Sequence, residues 1–168
     1  MNDLLQYGLL ILVGMIAGVI NTLAGGGSLL TLPVLIFMGL PPNVANATNR
    51  VGIAFQALIG TAGYRSKGIS NFPFNIYLGI SALIGSLIGA QIAVDIKGDT
   101  FNKLLAVIMI IVVAIIVFKP KVTDLKMPER LTGKYLFYAI IGFFFIGIYG
   151  GFINAGIGFV IILFLNNL

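Results

Sequence analysis

The chain has 168 residues, of which 59% are hydrophobic and 9% are charged, and its formal net charge is +5. Soluble domains are about 45–50% apolar and about 25% charged, so ten basic and five acidic residues are too few to cover a water-soluble globule of this size. The composition excludes a soluble enzyme and predicts an all-α, polytopic transmembrane helix bundle. Because the sequence has no His and no Cys, we predict no catalytic residue, no metal site and no cofactor.

The N-terminal part of the chain is predicted to form a hairpin within the membrane. Residues 4–23 are apolar and uncharged, which fits one crossing. Three consecutive glycines, followed by Ser28, then break the pattern. The apolar piece 29–40 that follows is short and stops at Pro41. A helix of that length is roughly 18 Å long, which is too short to span a bilayer. The segment 4–40 is therefore predicted to be a re-entrant or broken helix.

Three further apolar spans are predicted, at residues 43–64, 74–96 and 103–118. With the hairpin they make a first transmembrane repeat over residues 1–118. Gly85 and Gly89 form a small-xxx-small pair, which lets another helix approach closely. A polar turn is expected over residues 97–102, and the Ile/Val-rich span after it is expected to face lipid.

A hydrophilic segment follows at residues 119–134. It contains five basic residues (Lys119, Lys121, Lys126, Arg130 and Lys134) and two acidic ones (Asp124 and Glu129). The positive-inside rule predicts that this loop is cytoplasmic and that the turn at Pro41 is periplasmic, in a multi-pass protein whose main partner is the lipid bilayer. Membrane orientation accounts for the excess of basic residues, so nucleic acid is not predicted as a partner.

Residues 135–168 are predicted to begin a second, incomplete repeat. The sequence numbers of Gly18 and Gly147 differ by 129, and so do those of Gly27 and Gly156. Such a repeat, starting on the opposite side of the membrane, is the inverted-topology plan of many secondary transporters. With 22 glycines in the chain, chance also explains two matches at one spacing.

The glycine run is the main candidate site. Three consecutive glycines cost a helix roughly 1 kcal/mol each relative to alanine, and non-helical backbone at membrane depth survives only where it is buried in protein or lines a wet cavity. Ser28 is predicted to be the N-cap of the following helix, so that free N–H groups and the positive helix end point into the gap and bind an anion. The alternative is that the glycines only permit a tight hairpin or close packing.

A second polar cluster opens the span 43–64. It brings amide, hydroxyl and guanidinium groups together, and Arg50 lies roughly seven residues, about 10 Å, from the start of the helix. Arg50 is expected to balance the anion; the alternative is that it reaches the headgroups. Gln56 is interpreted as a contact between helices. The predicted substrate-binding residues are Asn21, Gly25, Gly26, Gly27, Ser28, Thr31, Asn46, Thr48, Asn49, Arg50, Asn154 and Gly156.

These motifs carry a specific resemblance. The run from Ala24 to Leu35, the run from Gly39 to Pro42 and the run from Ala45 to Asn49 resemble the TauE/SafE sulfite exporter family, also called the toluenesulfonate uptake permease family. The resemblance implies a bacterial inner-membrane protein of two repeats, associated with sulfite, sulfoacetate and other organosulfur or small organic anions.

The chain departs from the family in two ways. Where many members have Ser after the Ala-Thr pair, this chain has Asn49, a difference expected to affect anion preference. The second repeat stops after its first segment, so the chain is expected to be a fragment of a longer reading frame. A second copy of the chain or the missing second half would then complete the site.

Three classes of function remain. The leading hypothesis is a transporter or permease for small anions, including sulfite and sulfonates, and the alternative is a membrane scaffold or assembly subunit in which the glycines serve packing alone. A membrane enzyme fits poorly because the sequence offers no nucleophile, base and metal constellation. The sequence has no deep carboxylate or His pair for a proton relay, so facilitated transport, or coupling through groups outside this chain, is expected.

Overall fold

The computed structural model describes residues 3–69, 72–96, 98–118 and 133–166. Within these ranges the chain forms seven helices and no strand, which confirms the all-α prediction. The helices are α1 (Asp3–Ala24), α2 (Ser28–Phe37), α3 (Pro42–Ser66), α4 (Phe74–Asp95), α5 (Gly98–Phe118), α6 (Lys134–Phe152) and α7 (Ile157–Asn166). The predicted loop 119–134 lies outside the described residues except for its last two, and Lys134 already belongs to α6.

In the described part of the chain, three helices are long and apolar enough to cross a membrane: Leu4–Leu23, Phe74–Asp95 and Lys134–Phe152. Their mean hydropathies are 2.0, 1.8 and 1.8, and many of their large apolar side chains are exposed, as lipid contact requires. The spans predicted at 43–64 and 103–118 correspond to α3 and α5. That these two helices also cross the bilayer stays a prediction.

The prediction for the start of α5 was wrong. The helix begins at Gly98, so residues 98–102 form its first turn and not a polar loop, while Lys97 lies outside the described residues. Asp99 lies in this first turn, where a carboxylate complements the positive end of the helix dipole. Polar residues at a helix start thus resembled a loop in the sequence.

One stripe of α5 is buried in the core, although the helix was expected to face lipid. Phe101, Leu105 and Val112 are buried, and the ring of Phe101 meets that of Phe152 edge-on at 5.9 Å. The buried cluster joins α5 to α2, to the end of α4 and to the segment after α6. The opposite side of α5, including Ile110, is exposed and remains available to lipid.

Helices α4 and α6 pack through a reciprocal set of glycines, which confirms the small-xxx-small prediction. A Cβ placed on Gly85 or Gly89 would overlap main-chain atoms of α6, and one placed on Gly147 or Gly151 would overlap main-chain atoms of α4. The two backbones are therefore in direct contact. This packing fixes α6, whose C-terminal end leads to Asn154 at the candidate site.

The chain reverses direction at two glycine-containing breaks, so that two helical hairpins result. In hairpin 1 (residues 3–37), α2 folds back along α1. The contact is close: a Cβ added to Gly27 would lie 2.9 Å from the carbonyl carbon of Ala17. In hairpin 2 (residues 134–166), α7 folds back along α6, and the rings of Phe143 and Phe164 meet at 6.1 Å. The first hairpin has its break at the predicted glycine run, and whether it is re-entrant in the membrane stays a prediction.

The two hairpins share one spacing. Helices α2 and α7 each have ten residues, and both their first and their last residues are 129 positions apart. Gly25 and Asn154, also 129 positions apart, both have positive φ, of 65° and 58°. Asn tolerates this left-handed conformation better than most residues because its short polar side chain can bond locally. Gly27 and Gly156, one of the two glycine pairs behind the prediction, differ in φ, at −60° and 67°. The second repeat and its inverted orientation therefore stay predictions.

Candidate functional site

The tips of the two hairpins touch each other. The N–H of Gly158 donates to the carbonyl of Gly25 at 3.3 Å, and a Cβ on Gly25 would lie 2.7 Å from the Gly158 nitrogen. A Cβ on Gly26 would lie 2.6 Å from Cε2 of Phe159. Side chains at these glycines would push the tips apart, so the glycines have the packing role that the alternative interpretation assigned to them.

The prediction that Ser28 caps α2 was wrong. The N-cap is Gly27, which has no side-chain capping bond, and Ser28 is the first residue of the helix. The N–H of Gly27 instead donates to Oδ1 of Asn21 at 2.8 Å. Because the chain reverses so sharply, the start of α2 lies beside α1, and a side chain of α1 reaches the turn.

Helix α3 holds hairpin 1 through two amide side chains. Nδ2 of Asn21 donates a hydrogen bond to Oε1 of Gln56 at 2.7 Å. The hydroxyl of Thr31 donates one to Oδ1 of Asn49, also at 2.7 Å. Gln56 thus fulfils the predicted role of a contact between helices. These bonds tie both arms of hairpin 1 to one helix.

The same helix holds hairpin 2 at the C-terminal end of α6. Nδ2 of Asn46 donates to the carbonyl of Phe152 at 3.0 Å, and the Arg50 guanidinium donates to the carbonyls of Phe152, at 3.0 Å, and of Gly151. Cations stabilise helix C-termini because the last carbonyls are unpaired and carry partial negative charge. Arg50 thus binds protein carbonyls at the end of α6.

A cavity of about 390 Å³ lies between the hairpins and α3. Its polar lining side chains are Asn21, Thr22, Ser28, Gln56, Thr61, Tyr64 and Asn154. Its remaining lining residues are Leu23, Gly25, Ile53, Ala57, Gly60, Ile157, Gly158, Ile161 and Ile162. None of these described residues carries a formal charge. The Tyr64 hydroxyl, which donates to the carbonyl of Thr22 at 3.0 Å, links α3 to α1 at this cavity.

Two half-helices begin at this cavity. Ser28 and Ile157, the first residues of α2 and α7, both line it. Within the described ranges, the N–H groups of these two residues have no hydrogen-bond acceptor. The side chain of Ser28 is almost fully enclosed, and its hydroxyl likewise has no protein partner among the described residues. The N-terminal ends of two helices and several donors without acceptors among the described residues therefore lie at the cavity.

The predicted site residues fall into four groups. Those that line the cavity are Asn21, Gly25, Ser28 and Asn154. Those that bond across the hairpins and α3 without lining it are Thr31, Asn46, Asn49 and Arg50. Those buried at the breaks are Gly26, Gly27 and Gly156. Thr48 is exposed on α3.

Sequence reasoning missed most of the cavity wall that α3 contributes. Gln56, Gly60, Thr61 and Tyr64 lie at spacings of four, five and eight residues and so share one face of the helix. A line of polar and small residues along an otherwise apolar helix was the available signal. This line could have indicated a face of α3 that borders a water-accessible cavity. It could not have indicated which hairpin packs against that face.

Comparison with known proteins gives consistent matches. The family model described as sulfite exporter TauE/SafE matches residues 10–168. A probable membrane transporter protein of Haemophilus influenzae is 31% identical over 150 residues, covering 89% of this chain and 58% of the relative. The probable membrane transporter protein YfcA of Escherichia coli K12 is 31% identical over 157 residues, covering 92% of this chain and 56% of the relative.

A third relative, the probable membrane transporter protein ORF9 of a Sinorhizobium species, is 27% identical over 149 residues, covering 89% of this chain and 56% of the relative. The chain thus spans a little over half the length of these curated relatives. No solved structure matches the chain. The relatives are named as transporters and not as enzymes, and with the apolar helices they establish a multi-pass membrane protein.

Proposed function

The chain belongs to the sulfite exporter TauE/SafE family, and from that premise we propose that it forms the part of an inner-membrane transporter that binds a small anion between two hairpin tips. The observation that carries the proposal is that α2 and α7 both begin at one cavity. Each helix start carries the equivalent of roughly +0.5 elementary charge, and broken helices in transporters direct such ends at anionic substrate groups.

The donors at the cavity suit an oxyanion. The N–H groups of Ser28 and Ile157 and the Ser28 hydroxyl are free to donate, and hydrogen bonds from N–H groups at helix starts are a common way to hold sulfate-like or carboxylate groups. Gln56 uses its Oε1 to accept from Asn21, which leaves its Nε2 amide as a further donor in the wall.

The size and charge of the cavity agree with this substrate class. Its volume of about 390 Å³ lies in the range of roughly 300–1,000 Å³ that is usual for small-molecule sites. No carboxylate among the described lining residues would repel an anion. Sulfite and small sulfonates, which present three oxygens around sulfur, are the substrates we propose, carried by facilitated transport or by coupling through groups outside this chain.

The glycine packing at the tips also favours a second candidate, a membrane scaffold without transport. Gly26 and Gly27 contact Phe159 and α1, as a scaffold would require. A scaffold has no use, however, for a cavity at which two helices begin with N–H groups that have no acceptor among the described residues.

A matched pair of glycine variants separates the two candidates. Gly60 and Gly52 both lie in α3, and a Cβ on either of them would have no atom within 4 Å, but only Gly60 lines the cavity. In Gly60→Leu the side chain should fill the cavity and weaken sulfite binding by about tenfold or more, which is about 1.4 kcal/mol, whereas Gly52→Leu should bind as the parent does.

The measurement is titration calorimetry of the purified chain with sulfite, methanesulfonate, sulfate and acetate, followed by uptake of labelled sulfite into proteoliposomes. Equal affinity in both variants would move the site away from the cavity. Absence of anion binding by the parent, with uptake equal to that of empty liposomes, would favour the scaffold.

A further inference from the structure

The C-terminal end of α6 is surrounded by positive charge and amide donors from α3. The last carbonyls of a helix have no partner within the helix and together carry the equivalent of about half a negative charge. Here the Arg50 guanidinium donates to the carbonyls of Gly151 and Phe152, and Nδ2 of Asn46 donates to Phe152 at 3.0 Å. In the described part of the chain, these carbonyls are the hydrogen-bond acceptors of Arg50.

A third oxygen lies beside these carbonyls. Oδ1 of Asn46 belongs to the same amide whose nitrogen contacts Phe152, so it lies within a few ångströms of that carbonyl. The Asn46 side chain is 3% exposed, and Oδ1 has no hydrogen-bond partner among the described residues. A buried acceptor without a donor is rare because it loses its hydration without replacement, so this atom indicates a place suited to a cation or a donor.

From these oxygens we infer a monovalent-cation site at the carbonyls of Gly151 and Phe152, which Arg50 occupies in this protein, with Oδ1 of Asn46 beside them as a further ligand for a free cation. Unwound carbonyls and the C-terminal ends of broken helices are where transporters coordinate Na⁺. In this chain a guanidinium tethered to α3 takes that place. Arg50 is then a positioning residue for hairpin 2, and hairpin 2 needs no free cation to be held.

Arg50 then has a role other than balancing a transported anion, and this role holds whether or not the protein is a transporter. Arg50 and the cavity are separate: the guanidinium binds the end of α6, whereas the cavity receives the starts of α2 and α7. A neutral replacement at Arg50 should therefore create a vacant cation site. Stability would then depend on dissolved Na⁺, K⁺ or guanidinium, which the parent protein does not need.

The test compares Arg50→Gln with Arg50→Lys in the purified 168-residue chain. Melting is followed by circular dichroism at 222 nm, at constant ionic strength, with NaCl, KCl or guanidinium chloride exchanged for choline chloride at on the order of 50 mM, far below denaturing guanidinium concentrations. Choline serves as the control cation because its methylated nitrogen is bulky and cannot donate.

The parent and Arg50→Lys should have similar Tm values in all four salts. Arg50→Gln should melt about 5 °C lower in choline and regain at least half of that loss in Na⁺, K⁺ or guanidinium. Adding Asn46→Ala to the Gln variant should abolish the recovery. Adding Asn49→Ala should preserve it, because Asn49 bonds Thr31 and does not touch the α6 carbonyls.

Three results would overturn the inference: a Gln variant as stable as the parent in choline, a recovery that choline produces equally, or a Lys variant as unstable as the Gln variant. Loss of sulfite affinity in Arg50→Gln without any loss of Tm would instead make Arg50 an anion ligand. If Arg50→Gln cannot be purified, the Lys variant still decides: a Tm near that of the parent supports the tethered cation, and a large fall refutes it.

Discussion

The contact between α4 and α6 can be tested at Gly89. In Gly89→Ala the new Cβ would overlap the carbonyl oxygen of Ile148 and lie 2.8 Å from the nitrogen of Phe152, whereas carbon atoms usually approach such neighbours to about 3.5–4.0 Å. Since the atoms in the way belong to the backbone, they cannot rotate aside, and the helices must separate by on the order of 1 Å.

The expected loss of stability follows from two opposing terms. Overpacking costs typically about 1–3 kcal/mol, and a collision with backbone belongs at the upper end of that range. Replacing glycine by alanine within a helix returns up to about 1 kcal/mol. The net destabilisation is therefore about 2 kcal/mol, which corresponds to a Tm lower by about 4–8 °C for a chain of this length.

The matched control for this variant is Gly79→Ala in the same helix. Gly79 has nothing within 4 Å of a Cβ, so its alanine variant should melt at or above the Tm of the parent. Circular dichroism at 222 nm is the suitable assay, because the chain has no Trp for fluorescence and no Cys for thiol-reactive dyes. Melting of the Gly89 and Gly79 variants within about 1 °C of each other would refute the close backbone contact.

Two further predictions concern the site and the topology. Ser28→Ala should weaken sulfite binding by about 2–13-fold, the effect of one lost hydrogen bond of about 0.5–1.5 kcal/mol, without lowering Tm, because the hydroxyl makes no capping bond. Titration calorimetry should show unchanged affinity in Thr31→Val, whose hydroxyl bonds Asn49 outside the cavity. A matching loss in both variants would contradict the site. Thr123→Cys should resist an impermeant thiol reagent in intact cells and react after permeabilisation, because the basic segment 119–134 is predicted to be cytoplasmic. Labelling in intact cells would show that the predicted orientation is wrong.

Much of the architecture depends on local features that the sequence displays directly. The length of an apolar run decides whether a helix can cross a bilayer, and a glycine run or a proline decides where that helix ends. Residues 4–23 and the short piece after Ser28 could therefore be identified as two arms of one hairpin. Gly85 and Gly89 indicated a close helix contact, because small residues at that spacing lie on one face.

The partners of these features depended on the tertiary structure. The sequence alone could not indicate that Gly25 meets Gly158, since the two lie far apart in the chain and only the packing of two hairpins brings them together. It suggested Ser28 as the cap, because a cap is usually local, but the sharp reversal placed Asn21 at the turn instead.

Arg50 illustrates the same division. Its chemistry and depth indicated a charge that required a partner, and an anionic substrate was a reasonable expectation. The structure supplies the end of α6 as that partner, because a helix terminus exposes negative carbonyls that do not exist as such in the unfolded chain. Local chemistry thus determined which groups needed partners, and only the packing of helices from distant parts of the chain decided which partners they found.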